Sequence, residues 1–265
     1  TGGFSVRNTS IASYQSDAIT WVIVVFTFLA GINFSLLYAV VRGRIKDALR
    51  SEELRWYLLI LAITISLICV DLHVELGQGW YESAKDAAFQ ATTIMSTTGY
   101  ATKDFTLWPT FSRCILVLLM IVGACAGSTG GGVKVSRLVI LCKALGSELR
   151  KLLHPRSVRV LTVDGKPVSR ETVQGVQSYM TLYFLVTMVS VLLVALDNLD
   201  FVTTFTAVMA TLNNIGPGLG LVGPTGCFAA FSPLAKIVLT ADMLFGRLEL
   251  FPMLLLFVPS TWRGD

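Results

Sequence analysis

Residues 83–102 read SAKDAAFQATTIMSTTGYAT, a short apolar stretch over 83–96 that runs directly into Thr97-Thr98-Gly99-Tyr100-Ala101-Thr102. That stretch of about 13 residues makes ~20 Å of helix at 1.5 Å per residue. A hydrocarbon core of ~30 Å is too thick for it to cross. Longer apolar runs flank it. Upstream, residues 56–70 are apolar and the helical pattern continues to about Gly77. Downstream, 109–126 is apolar, but Gly123-Ala-Cys-Ala-Gly127-Ser-Thr-Gly130-Gly131-Gly132 interrupts the helix, and helical pattern resumes at Val133. The order is span, half-span, glycine loop, span.

The same order returns. A span is predicted over 172–196, a half-span over 201–213, then Asn214-Ile215-Gly216-Pro217-Gly218-Leu219 and a last span over 234–258. The opening residues read as the end of a further copy: Thr1-Gly2-Gly3-Phe4-Ser5, then an uncharged span over 19–41. Gly2, Gly99 and Gly216 are the equivalent loop positions, 97 and 117 residues apart. Repeats with matching hydropathy are a transport architecture. The chain opens inside a copy, so an upstream part is expected.

Composition agrees. The 265 residues are 54% hydrophobic and 14% charged, and the mean hydropathy is +0.68. A soluble domain carries about 25% charged residues, so the chain reads as a polytopic membrane protein. The five cysteines (Cys69, Cys114, Cys125, Cys142, Cys227) are scattered singly, mostly in apolar runs, and read as small buried residues. With only His73 and His154, far apart, neither a metal site nor a Ser/His/Asp set is legible, and no enzyme activity is expected. Gly218-x-Gly220-x-x-Gly223 matches a dinucleotide fingerprint, but no strand precedes it, and Pro217 and Pro224 break the required turn. Gly127–Lys134 resembles a phosphate loop, but Val133 separates Gly132 from Lys134.

Fifteen of the 21 Lys and Arg residues lie in 42–55, in 134–170 and at Arg263. The positive-inside rule makes those segments cytoplasmic and turns the glycine loops outward. Asp164-Gly165, inside Val158–Val168, is a two-residue hairpin signal within the second basic segment. Eight acids fall on the outer side: Asp17, Asp71, Glu75, Glu82, Asp86, Asp104, Asp197 and Asp200. They can concentrate cations at a mouth or form an ordinary solvated rim.

Irregular backbone cannot face lipid, so each half-helix and its loop imply a buried, cavity-lining position. Successive carbonyls of an extended glycine loop can replace the water shell of a cation. The C-terminal end of each half-helix favours positive charge there. Thr97-Thr98-Gly99-Tyr100-Ala101 is similar to the TVGYG filter of potassium channels.

With Thr1–Ser5, Thr97–Thr102, Gly123–Lys134, Asn214–Gly218 and Asp242-Met-Leu-Phe-Gly-Arg247-Leu-Glu249, the whole chain resembles the TrkH family of the Trk, Ktr and HKT cation transporters. The resemblance implies an all-α fold of four repeats, each a first span (M1), a pore helix and filter loop, and a second span (M2), arranged pseudo-fourfold around one pore. Residues 1–50 would then be the filter loop and M2 of the second repeat. Residues 51–150 would be the third repeat with a broken M2, 151–170 a cytoplasmic basic hairpin linker, and 171–265 the fourth repeat. Without the first repeat the pore should not close.

The implied filter, holding potassium at backbone carbonyls, is Thr1, Gly2, Gly3, Thr98, Gly99, Tyr100, Asn214, Ile215, Gly216 and Pro217. The implied gate is the intramembrane loop bearing Gly123, Gly127, Gly130, Gly131 and Gly132; the alternative is a kink relieved by packing of small residues. Arg247, inside the last span, would be a pore-facing barrier to cations or a structural ion pair with Asp242 or Glu249.

The family further implies a bacterial inner-membrane location, a homodimer, and a cytoplasmic nucleotide-binding partner, TrkA. No cofactor is expected beyond the transported K+, and no nucleic acid. In that family a serine in place of the first-repeat filter glycine tends to admit sodium, a position absent here. Two other readings stay open: a cation-coupled symporter, and a non-conducting membrane scaffold.

Overall fold

A computed structural model describes residues 2–154, 160–256, 258 and 262. Thr1, Arg263 and the start of the predicted hairpin at Val158 lie outside the described residues. Among the described residues the regular secondary structure is helical apart from one hairpin.

The helices, in order, are Asp17–Ala30 (α1), Phe34–Val41 (α2), Ile45–Arg50 (α3), Glu52–Leu76 (α4), Trp80–Met95 (α5), Thr110–Val122 (α6), Val135–Leu153 (α7), Arg170–Val194 (α8), Phe201–Leu212 (α9), Pro233–Leu248 (α10) and Leu250–Leu255 (α11). Local chemistry sets many ends. Ser16, Asn33, Ser169, Asp200 and Ser232 each accept a backbone N–H of the helix they open, satisfying one of the orphan donors of a helix N-terminus. Gly77 ends α4 at φ +63°, the left-handed stop that glycine adopts without strain.

Among the described residues, two helices are long and apolar enough to cross a membrane: Glu52–Leu76, and α8 extended to Asp197. Each presents one face inward and one outward. On α4, Tyr57, Leu61, Ile68 and Leu72 are buried, while Ile63, Leu67, Val70 and Val74 are exposed. On α8, Phe184, Met188 and Leu192 are exposed. Such large apolar outer faces match a lipid environment.

The short helices occupy the middle. α5 packs on α4, α1 and α6, and α9 on α10, α8 and α6. Both are buried along most of their length and rich in Thr, Ser and Ala. Their hydroxyls turn back onto their own helix, as Thr92 Oγ1 does on Ala88 O (2.7 Å) and Thr206 Oγ1 on Val202 O (2.7 Å). Polar groups are thereby satisfied in a buried position.

Two predicted spans are corrected. Residues 19–41 are not one helix: α1 and α2 meet at a bend of 106°. Gly31, Ile32 and Asn33 form the corner. Asn33 Oδ1 accepts from Ser35 N (2.8 Å) and starts α2 afresh. The freed backbone finds partners elsewhere: Cys125 N donates to Gly31 O (3.0 Å) and Phe34 N to Gly127 O (3.1 Å). The last span is also broken. Glu249 separates α10 from α11 at φ +65°, an uncommon angle for a side chain that long. Its carboxylate is held by Lys134 (2.8 Å) and Arg137 (3.0 Å).

The hairpin pairs Thr162–Val163 (β1) with Lys166–Pro167 (β2) across Asp164-Gly165. Both turn residues have positive φ (51° and 73°), as a type I′ turn requires. Asp164 Oδ1 accepts the Glu52 N–H at 2.6 Å, capping α4 from a distance of 112 residues in sequence.

Candidate pore loops and helix break

The loops after α5 and α9 have one design. After α5, Ser96 N donates to Thr92 O, Thr97 N to Ile94 O, and both Thr98 N and Gly99 N to Thr93 O. After α9, Asn213 N donates to Met209 O, Asn214 N to Thr211 O, and both Ile215 N and Gly216 N to Ala210 O. Every partner is shifted by the interval that separates Gly99 from Gly216. Positive φ recurs in register too: Thr97 (55°) and Gly99 (82°), then Asn214 (56°) and Gly216 (111°). Different residues thus adopt the same backbone.

Three loops converge. A Cβ added to Gly99 would overlap the carbonyl oxygen of Ile215, one on Gly216 that of Gly2, and one on Gly3 that of Gly99. The contacts close a ring through the segments at 2–3, 99 and 215–216, and leave no room for a side chain at the glycines. Thr93 Oγ1 braces the third loop by donating to Tyr100 O (3.1 Å). Ile11 N donates to Ala101 O (3.1 Å), tying the opening segment to the same loop. A cavity of about 680 Å³ adjoins the ring and touches Gly2, Gly99, Gly216, Pro217 and Arg247.

The Gly123–Gly132 segment lies against the starts of these loops, where α5 and α9 end. Gly131 N donates to Thr97 Oγ1 (2.9 Å). A Cβ on Gly130 would stand 3.2 Å from Ser96 O, and one on Gly131 2.5 Å from Asn213 O, equivalent residues of the two copies. Gly123, Gly127 and Gly132 all have positive φ, and Gly127 packs on the Asn33 side chain of the α1–α2 corner. Among the sequence-predicted residues, the structure therefore brings the glycines of the three loops and of the break into one neighbourhood.

Arg247 makes no ion pair with Asp242 or Glu249. Its Nη1 donates to Thr129 O (3.0 Å) in the broken segment. Asp242 Oδ1 accepts from Ser190 Oγ (2.7 Å), and Glu249 belongs to Lys134 and Arg137. Most of the eight outer acids have structural partners. Asp17 pairs with Lys85 (2.7 Å) and Asp86 with Lys103 (2.6 Å). Asp71 accepts from Ser112 N and Oγ, Asp104 from Thr106, Asp197 from Ser232 N and Asp200 from Thr203 N. The hydroxyl and amide of Thr203 hold the Asp200 carboxyl below the usual carboxylate value. These partners fit an ordinary rim.

Three features were missed from sequence: the Asn33 corner, the Lys134–Glu249–Arg137 cluster, and Glu53, whose Oε1 accepts from Ala126 N (2.7 Å) and Ser136 N (3.1 Å). Asn33 carried a signal, since asparagine favours helix N-caps. The other two are long-range pairings with none.

Fold and loops define a mostly helical membrane protein whose buried half-helices end in converging glycine loops. The comparisons give the family. Residues 1–263 match the model described as TrkH, a cation transport protein, and the chain belongs to that family. It is 36% identical to the Trk system potassium uptake protein TrkH of Salmonella typhimurium, over 99% of this chain and 54% of the relative. It is 37% identical to the TrkH of Vibrio parahaemolyticus, over 99% and 55%. The crystal structure of the potassium transporter TrkH from Vibrio parahaemolyticus superposes with a TM-score of 0.89 at 35% identity, over 98% of this chain and 56% of that one. The chain spans about half the length of the curated relatives it matches.

Proposed function

We propose that this chain supplies the third and fourth quarters of a gated potassium pore, and the end of the second. The observation that carries the reading is the ring of loops at Gly2–Gly3, Gly99 and Ile215–Gly216, where a glycine of each segment lies against a backbone carbonyl of another. Carbonyls gathered from separate loops can replace the water shell of a dehydrated K+. Potassium uptake by the named relatives agrees. Thr1, Thr98, Tyr100, Asn214 and Pro217 complete the proposed filter.

The Gly123–Gly132 segment is the gate. Its position against Ser96, Thr97 and Asn213 supports this, because an ion leaving the filter inward meets it first. Arg247 places positive charge beside the cavity and grips that segment through Thr129. The proposal extends to an inner-membrane homodimer with TrkA on the basic cytoplasmic face. The test is K+ and Na+ flux into liposomes containing the full-length protein. Flux favouring K+, with the preference lost in Gly99→Ser, is expected. No flux of either ion from folded protein with its partner present would overturn the reading in favour of a scaffold. Flux that requires a co-substrate would favour a symporter.

A further inference from the structure

Glu53 lies in the first turn of α4, outside every motif of the filter and the gate. Its Oε1 accepts two backbone N–H groups: Ala126 at 2.7 Å and Ser136 at 3.1 Å. These amides sit on the two shoulders of the helix break. Ala126 follows the end of α6, and Ser136 is in the first turn of α7, so neither has an acceptor within its own helix. Within a membrane an amide left without a partner is strongly disfavoured.

A carboxylate is a stronger acceptor than a carbonyl, and here it stands at the positive end of α7. Other restraints grip the segment at one point each: Gly31 O at Cys125, Phe34 N at Gly127, Thr97 Oγ1 at Gly131 and Arg247 at Thr129. Backbone bonds join the two sides at the base of the break, from Val133 N to Ile121 O, Lys134 N to Val122 O and Val135 N to Ala124 O; Glu53 adds a side chain that holds Ala126, within the segment, together with Ser136 of α7. With both shoulders fixed, Gly130 and Gly131 stay beneath Ser96 and Asn213.

We propose that Glu53 is a positioning residue that clasps the broken helix and holds the intervening segment in its occluding position. This rests on the reading of Gly123–Gly132 as the gate. The structural logic predicts a direction: releasing the clasp favours the open arrangement, and losing two charge-assisted hydrogen bonds shifts that balance about tenfold.

The test is K+ flux in liposomes containing the full-length protein, comparing Glu53→Ala, Glu53→Gln, Glu53→Asp and a shortened loop lacking Ser128-Thr129-Gly130. Glu52→Gln is the control, since Glu52 points instead at Lys143. Glu53→Ala is expected to raise flux about tenfold with the K+/Na+ ratio unchanged, which damage spreading to the filter would not preserve. Glu53→Gln keeps an acceptor oxygen and is expected within about threefold of the unaltered protein. Glu53→Asp withdraws the carboxylate by one methylene and is expected to raise flux severalfold, so it decides the matter if Glu53→Ala does not fold. Flux raised by the shortened loop but unchanged or lowered in Glu53→Ala and Glu53→Asp would overturn the clasp alone. Flux unchanged in all of them would overturn the gate and the clasp with it.

Discussion

The glycine loops and the helix breaks are neighbours built on opposite plans. The loops after α5 and α9 repeat each other bond for bond, although one reads Thr-Thr-Gly-Tyr and the other Asn-Ile-Gly-Pro. The three breaks share nothing. The α1–α2 corner is a three-residue turn with an asparagine cap, the α6–α7 break is a long glycine segment, and the α10–α11 break is one strained glutamate clamped by two cations. If the loops share an ion, as proposed, it would impose one geometry on every loop that touches it. The proposed gate would need no such symmetry, since a single moving segment suffices to close a path.

The largest effect should come from the symmetric region. Gly99→Ala and Gly216→Ala each put a Cβ into a neighbouring loop's carbonyl, at a φ that alanine adopts only with strain. Both should lower the K+/Na+ flux ratio at least tenfold, and by similar amounts. A large loss in one and none in the other would break the equivalence of the two loops.

The next effect belongs to the first corner. A Cβ on Gly31 would overlap the Tyr57 hydroxyl, so Gly31→Ala should cost about 1–3 kcal/mol by overpacking. Tyr57→Phe removes that hydroxyl and its bond to Phe28 O (3.1 Å). The double variant should lie closer to the unaltered protein in thermal unfolding than the two single costs added. Strict additivity would show that the corner does not depend on this contact.

Caps and clamps give smaller effects. Asn33→Ala should cost about 1 kcal/mol in the same measurement. Glu249→Gln should cost less than about 1 kcal/mol, because the carboxylate is 43% exposed. A reversed order would mean the three breaks are less different than they look.

The smallest effect distinguishes the half-helices themselves. Asp200 caps α9, whereas α5 opens at Gly79 with no side-chain cap. The Asp200 carboxyl is held below its ordinary value of 3.8 by the Thr203 hydroxyl and amide. Its contribution is full above that value and fades as the pH falls through the lowered one. Hydrogen exchange at the first turn of α9 should therefore quicken below about pH 3.8, while the start of α5 does not change by this route. Equal acceleration would assign the effect to a general acid response.

The half-spans, their loops and the two unbroken helices were legible because length and glycine placement are local properties. The break at Gly123–Gly132 was legible for the same reason. The corner at Gly31–Asn33 was not, since a lone glycine in an apolar run is common in membrane helices. Its cause lies in Cys125 and Gly127, which exchange backbone hydrogen bonds with it. Glu249 was legible only as a charge in an apolar span. The left-handed backbone that breaks the helix there depends on Lys134 and Arg137, more than 100 residues away. Arg247 was legible as a charge inside the last span; it lines the cavity, and its partner is a carbonyl of the broken segment, which no acidic neighbour in sequence could reveal.

The cap on α4 has a consequence for the order of synthesis. Glu52 takes its hydrogen-bond partner from Asp164, 112 residues later. At the usual pace of about 5–20 residues per second, the ribosome makes that partner many seconds after the helix has left it. The start of α4, which carries Glu53, stays unfinished until the Asp164-Gly165 turn emerges and folds back. The cap at the start of α4 is thus completed by a turn that precedes α8.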